Sequence, residues 1–126
     1  MANIIIFYEK EDGEKPVEDF INSLPVKHKA KVYWEIEMLE RFGKNLKEPY
    51  VKPITGDKYK GLWELRIKFA GDISRIFYFM PVGNNFVLLH GFIKKSQSTP
   101  ERELLIARSR MSEFEGKVNN ENMERS

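Results

Sequence analysis

The stretch GLWELRIKFAGDISRIFYFM, Gly61–Met80, decides the fold. Within it Trp63, Leu65, Ile67 and Phe69 alternate with Glu64, Arg66 and Lys68. Side chains along a strand point alternately to its two faces, so this segment is a strand with one buried and one charged face. Ala70-Gly71-Asp72 is a tight turn. Ile73–Met80 is a second strand, apolar on both faces apart from Ser74, Arg75 and Tyr78. Val82-Gly83-Asn84-Asn85 is another turn, leading to a third strand, Phe86–Lys95. Turns this short join antiparallel neighbours.

Upstream, Asn3–Tyr8 is β-branched and aromatic and predicts a strand, closed by the Asp12-Gly13 turn. Pro16 then opens a helix, with Glu18 and Asp19 in its first turn. Val17, Phe20, Ile21 and Leu24 give that helix one apolar face, and Pro25 ends it. A second helix runs from Val26 to Phe42 on Val32, Ile36 and Leu39, broadened by Tyr33, with Gly43 as its stop. Lys44–Lys60 lacks periodicity and reads as an irregular loop carrying Lys47, Lys52, Lys58 and Lys60. Downstream, Thr99 is a candidate cap and Pro100 the first residue of a last helix, with Leu104, Ala107, Met111 and Phe114 as its apolar stripe. From Gly116 the chain is polar and unpatterned. The expectation is one domain over 1–115 and a disordered tail over 116–126. The predicted order is β-α-α-β-β-β-α, an α+β domain with two N-terminal helices and a C-terminal helix packed on one face of a small antiparallel sheet.

Composition excludes several chemistries. The chain has no cysteine, so disulfides and thiolate metal sites are absent. Its two histidines, His28 and His90, cannot make a multi-histidine metal site. There is no glycine-rich phosphate loop, HExxH motif or nucleophile elbow, and no cofactor or metal is expected. No apolar run approaches a membrane span, and the N-terminus lacks the pattern of a signal peptide, so a cytoplasmic protein without a membrane partner is expected.

The net charge is only +2 among 21 basic and 19 acidic residues, but it is unevenly spread. Carboxylates crowd Glu9–Glu18 and Glu113–Glu124, while Lys52–Lys95 is rich in Lys and Arg and holds only Asp57, Glu64 and Asp72 as acids. Such an asymmetry reads either as a local anion-binding surface or as ordinary solvated charge. Arg66 lies on the polar face of its strand. Arg75 lies in an apolar strand, where a buried guanidinium needs a carboxylate, Glu64 or Asp72, or a ligand phosphate. Alternation puts Lys94 on the face of His90 and Lys95 on the opposite one. His90 is either a hydrogen-bonded packing residue or a proton carrier, having an ordinary pKa near neutrality. Tyr78 is either a sheet packer or a phenol aimed at a ribose. Trp63 reads as packing.

GLWELRIKFAGDISRIFYFM, followed by VLLHGFIKKSQSTPERELLIARSRM and preceded by PVEDFINSLP, resembles the HigB-like, phage-derived branch of the RelE/ParE toxin superfamily over roughly residues 3–114. The order of LWELRI, SRIFYF and HGFIKKSQSTP carries the resemblance. It implies a RelE-like fold and the toxin of a type II toxin–antitoxin system. Such a toxin is a metal-independent mRNA endoribonuclease acting on messages in the ribosome. The implied partner is a HigA-type helix-turn-helix antitoxin, in a heterotetramer that reaches operator DNA only through the antitoxin. The catalytic candidates it implies are Arg66, Arg75 and Lys94, with His90 or Tyr78 as alternatives to a lysine for moving protons. Lys58, Lys60, Lys68 and Lys95 are the RNA-binding candidates. Some relatives use a tyrosine or histidine in the C-terminal segment, and this chain has neither after His90. A ParE-like gyrase inhibitor, a non-catalytic RNA-binding module and an inactive corepressor are the competing readings.

Overall fold

A computed structural model describes residues 2–95 and 99–125, with side chains described as far as residue 118. The element order is β1 (Ile4–Phe7), α1 (Pro16–Asn22), α2 (Val26–Phe42), β2 (Val51–Pro53), β3 (Trp63–Phe69), β4 (Asp72–Phe79), β5 (Asn85–Lys94) and α3 (Glu101–Arg125). The strands form one sheet in the order β1-β5-β4-β3-β2. This is the expected α+β class, with differences in the sheet and its cover.

The sheet is mixed rather than wholly antiparallel. β1 runs parallel to β5, because α1 and α2 return the chain to the far end of the sheet before β2 to β5 meander. The segment expected as a loop contributes β2, which pairs antiparallel with β3 through Val51–Leu65, Lys52–Glu64 and Pro53–Trp63. β2 is an edge strand, where a proline costs no ladder bond on its outer side. The Ala70-Gly71 turn has positive φ at both residues (49° and 85°), the twist that suits a two-residue hairpin.

The helices pack on both faces, not on one. α1 and α2 bury Val17, Ile21, Val32, Ile36 and Leu39 against Leu65, Ile67, Ile76, Tyr78, Phe86 and Leu88. α3 lays Leu104, Ala107, Met111 and Phe114 over Phe77, Phe79, Val87, Leu89 and Phe92 on the other side. β4 and β5 are apolar on both faces, and each face needs its own cover. α1 comes close because Gly91 of β5 has no side chain: a Cβ there would lie 2.5 Å from the Phe20 ring. Gly116, expected to open a disordered tail, lies inside α3, whose helical backbone continues to Arg125. The added segment contains no proline, and extending an existing helix is far easier than starting one.

One irregularity in the sheet decides which side chains of β5 face α3. Phe77 of β4 faces His90 of β5, yet Tyr78 faces Leu88, so β5 carries a bulge at Leu89. A bulge inserts one unpaired residue and reverses the facing of everything beyond it. Leu88 therefore points to α1 and α2, whereas His90, Phe92 and Lys94 point to the α3 side.

Candidate functional site

The α3 side of the sheet is divided. Its apolar half lies under α3, and its other half, over β2, β3 and β4, is polar and open. There a cleft of about 400 Å³ is lined by Lys52, Pro53, Ile54, Thr55, Tyr59, Glu64, Arg66, Arg75, Lys94, Thr99 and Leu104. The register places its charges in rows: Lys52 stands opposite Glu64, Arg66 opposite Arg75, and Lys94 one pair further along. The N-terminal end of α3 closes one side through Leu104. Glu101 ties that end to the segment before β3, accepting hydrogen bonds from Lys58 Nζ and Tyr59 Oη, both at 3.1 Å.

Four cations and one carboxylate line the cleft. Glu64 pairs with Arg75, and both side chains are only 5% exposed. Glu64 Oε2, Arg66 Nε and Arg75 Nε are buried with no hydrogen-bond partner among the described residues. Buried donors left unpaired are costly, and their clustering at a recess marks the place where a ligand would supply the missing acceptors. Burial pushes the Lys94 ammonium below its ordinary pKa. The neighbouring Arg75, Arg66 and Lys52 cations add to this, and Glu64 opposes it. A cation-rich recess with inward-pointing guanidinium groups suits a phosphodiester.

Arg66, Arg75 and Lys94 thus come together in one cleft. Tyr78 does not join them: it is 2% exposed in the core on the α1–α2 face, stacked on Trp63 and tilted against Phe86, and burial raises its phenol pKa. The idea of Tyr78 as a phenol aimed at ribose is corrected on that ground, since the whole sheet separates it from the cleft. His90 is on the cleft's face but under α3, stacked with Phe77 and Phe92. Four residues of strand separate it from Lys94, about 13 Å. Arg110 Nη1 lies 3.3 Å from its Nδ1 and can only donate, so the proton sits on Nε2 and is donated to Glu103. Burial lowers the His90 pKa against the opposing effect of Glu103, which keeps the ring neutral.

The lysines disperse. Lys68 is exposed on the cleft's face one row beyond Arg66, Lys95 is exposed at the end of β5, and Lys60 is exposed before β3. Lys58 is held by Glu101. Residues 96–98, which follow Lys95 in the SQSTP motif, lie outside the described residues. Sequence reasoning left Lys52 and Glu64 out of the site. Lys52 sits in a segment with no strand signal and reaches the cleft through the pairing of β2 with β3, whereas Glu64 reads in the sequence as a partner of Arg75 and not as a site residue. Among the described residues no three His, Asp or Glu side chains gather at metal-ligand spacing, and no helix is long and apolar enough to cross a membrane.

A family model described as Phage derived protein Gp49-like (DUF891) matches residues 19–112, from within α1 to α3 and including every residue of the cleft. The chain belongs to this Gp49-like family. It is a family associated with RelE/HigB-like toxins, which agrees with the resemblance at the level of the phage-derived branch. No curated protein matches the chain. In this Gp49-like domain the sheet supplies the guanidinium groups of the cleft, α3 contributes Leu104 to one wall, and Ile54, Thr55, Tyr59 and Thr99 line it from the connecting segments.

Proposed function

We propose that the chain is the toxin of a type II toxin–antitoxin pair and cuts messenger RNA without a metal, in the ribosome. The observation that carries this reading is the cleft that Arg66, Arg75, Lys94 and Lys52 line together and in which buried guanidinium donors have no partner among the described residues. The ribose 2′-hydroxyl attacks the adjacent phosphorus, and the Arg66 and Arg75 guanidinium groups stabilise the charge that gathers on the phosphoryl oxygens. Lys94, with its lowered pKa and its place in the cleft, is better suited to move a proton than His90 or Tyr78. Membership of the Gp49-like family supports a toxin and an antitoxin that neutralises it. The partner we infer is a HigA-type helix-turn-helix protein.

Brief induction in a bacterial host, followed by mapping of message ends, tests the reading. Growth arrest with discrete cuts inside translated codons is expected, and Arg66→Ala should relieve both. Intact messages with double-stranded DNA breaks would instead identify a gyrase inhibitor. Arrest undiminished in the Arg66→Ala, Arg75→Ala double variant would remove the cleft from the activity.

A further inference from the structure

Attack by a 2′-hydroxyl needs a proton acceptor as well as a donor, and among the described residues the cleft is lined by a single carboxylate. Glu64 lies mid-β3 and is 4% exposed. One of its oxygens takes Arg75 Nη1. The other, Oε2, is buried with no hydrogen-bond partner among the described residues. A carboxylate oxygen held from water without a donor is disfavoured unless a ligand provides one. The same recess holds unpaired donors, Arg66 Nε and Arg75 Nε. An unpaired acceptor beside unpaired donors is complementary to a ligand that brings one O–H next to an anionic group. A ribose 2′-hydroxyl beside its 3′-phosphodiester is such a ligand.

Resting on the nuclease reading above, we propose that Glu64 is the proton acceptor for the attacking 2′-hydroxyl. The 2′-O–H bond breaks and its proton passes to Glu64 Oε2, while the other carboxylate oxygen stays on Arg75. The 2′-oxygen forms a bond to phosphorus. The bond from phosphorus to the 5′-oxygen breaks, and that oxygen takes a proton from Lys94 Nζ. The products are a 2′,3′-cyclic phosphate and a 5′-hydroxyl, with no oxidant or reductant involved. Glu64 returns its proton to water and Lys94 regains one. Arg75 fixes the direction of Oε2 through the pair, and the crowded cations around Lys94 ease its proton release.

The test uses a short message with a bridging 5′-sulfur at the position that end mapping identifies, beside its all-oxygen counterpart, on ribosomes. A thiolate leaves without protonation, so this RNA bypasses the donor but not the acceptor. Lys94→Ala should lose about 100-fold on the oxygen RNA, the scale of one positioned acid–base group, and recover on the sulfur RNA. Glu64→Gln should lose about as much on both, while binding a 2′-O-methyl RNA at least as tightly as the wild type, since the Arg75 charge is no longer offset. If the amide variant does not fold, Glu64→Asp decides: it keeps the charge opposite Arg75 and withdraws the oxygen by one methylene. A loss of at least roughly tenfold on both RNAs is then expected. Wild-type cutting by the folded variant overturns the proposal, as does recovery of Glu64→Gln on the sulfur RNA or a loss wholly explained by weaker RNA binding. If the wild-type protein itself leaves both RNAs intact, the nuclease reading falls and this proposal falls with it.

Discussion

Arg66 and Arg75 stand directly opposite each other on neighbouring strands, with their guanidinium groups on the same face. Like charges so placed repel and destabilise a sheet. Among the described residues only Arg75 of the two has an internal counter-ion, Glu64, and this pair is almost fully buried. The two arginines therefore answer differently to removal. Arg66→Ala should not destabilise the fold, since no internal partner among the described residues is lost and the like-charge contact with Arg75 is relieved. Cutting should fall by roughly 100-fold or more, as when a donor to a transition-state oxyanion is removed. Arg75→Ala should destabilise the fold by about 3–5 kcal/mol by stranding the Glu64 carboxylate. Arg75→Met combined with Glu64→Leu should restore most of that stability and none of the activity. Thermal melts beside cutting assays check this, and a large stability loss in Arg66→Ala would contradict it.

His90 is tied to α3 by two side-chain contacts. It is the donor to Glu103, whose side chain is 12% exposed, and it accepts from Arg110 on the next turn but one of the same helix. His90→Ala should cost about 1–3 kcal/mol, the penalty of a buried polar group left without its partner. Cutting per folded molecule should stay within about threefold, because a strand length of ~13 Å separates it from Lys94. Since burial lowers its pKa, no step in the rate should follow its titration near neutrality. A loss of two orders of magnitude with stability intact would place the imidazole in the chemistry after all.

Glu35 makes stability depend on pH. It is 3% exposed in α2, one oxygen has no partner among the described residues, and burial raises its pKa to about 7 against the pull of Lys31. Between about 4.5 and 7 the folded protein keeps a proton that the unfolded chain has released. The stability is fully present below the unfolded value, falls as pH rises through this window, and is level above it. The whole change is roughly 3 kcal/mol. Glu35→Gln should flatten this slope and raise the melting temperature at pH 8 more than at pH 5. Parallel pH profiles for the two proteins would exclude Glu35 as the source.

The parts of the fold with a sustained period were legible. Val26–Phe42 is helical with Gly43 ending it, and Trp63–Phe69 is a strand with its charges on one face, as the 3.6- and 2-residue patterns require. Three features were not. β2 is three residues long and contains Pro53, so neither its length nor its composition marks it. The two apolar faces of β4 were visible in Ile76–Phe79, but the need for a second covering layer was not drawn from them. The bulge at Leu89 has no signal in residue type, yet it turns Lys94 toward Arg75. Of the residues lining the cleft, Arg75 stood out as a cation in an apolar strand and Arg66 as one on the charged face of its strand. Glu64 shares the face of Arg66 by alternation, whereas Lys52 meets them only through the register of β2 on β3, a long-range property.

On the nuclease reading, the route of the RNA would distinguish lysines that share one charge. Lys52 is exposed at the mouth of the cleft, facing the Glu64 row, whereas Lys58 is already neutralised by Glu101 at 3.1 Å and lies outside the cleft lining. A cation that meets a phosphate displaces counter-ions from the RNA, and for single strands each contact steepens the salt dependence of log affinity by about 0.7. With Arg75 offset by Glu64, Lys52, Arg66 and Lys94 provide three net charges, so a slope near −2 is expected for a short 2′-O-methyl RNA. Lys52→Ala should reduce that slope by about 0.7 and weaken binding alike for all sequences. Lys58→Ala frees Glu101 as it removes the lysine, and its slope should move by less. Fluorescence anisotropy across a salt series measures both. Equal slope changes for the two variants would carry the RNA over the segment before β3 instead of through the cleft, and would move Lys58 and Lys60 into the interface.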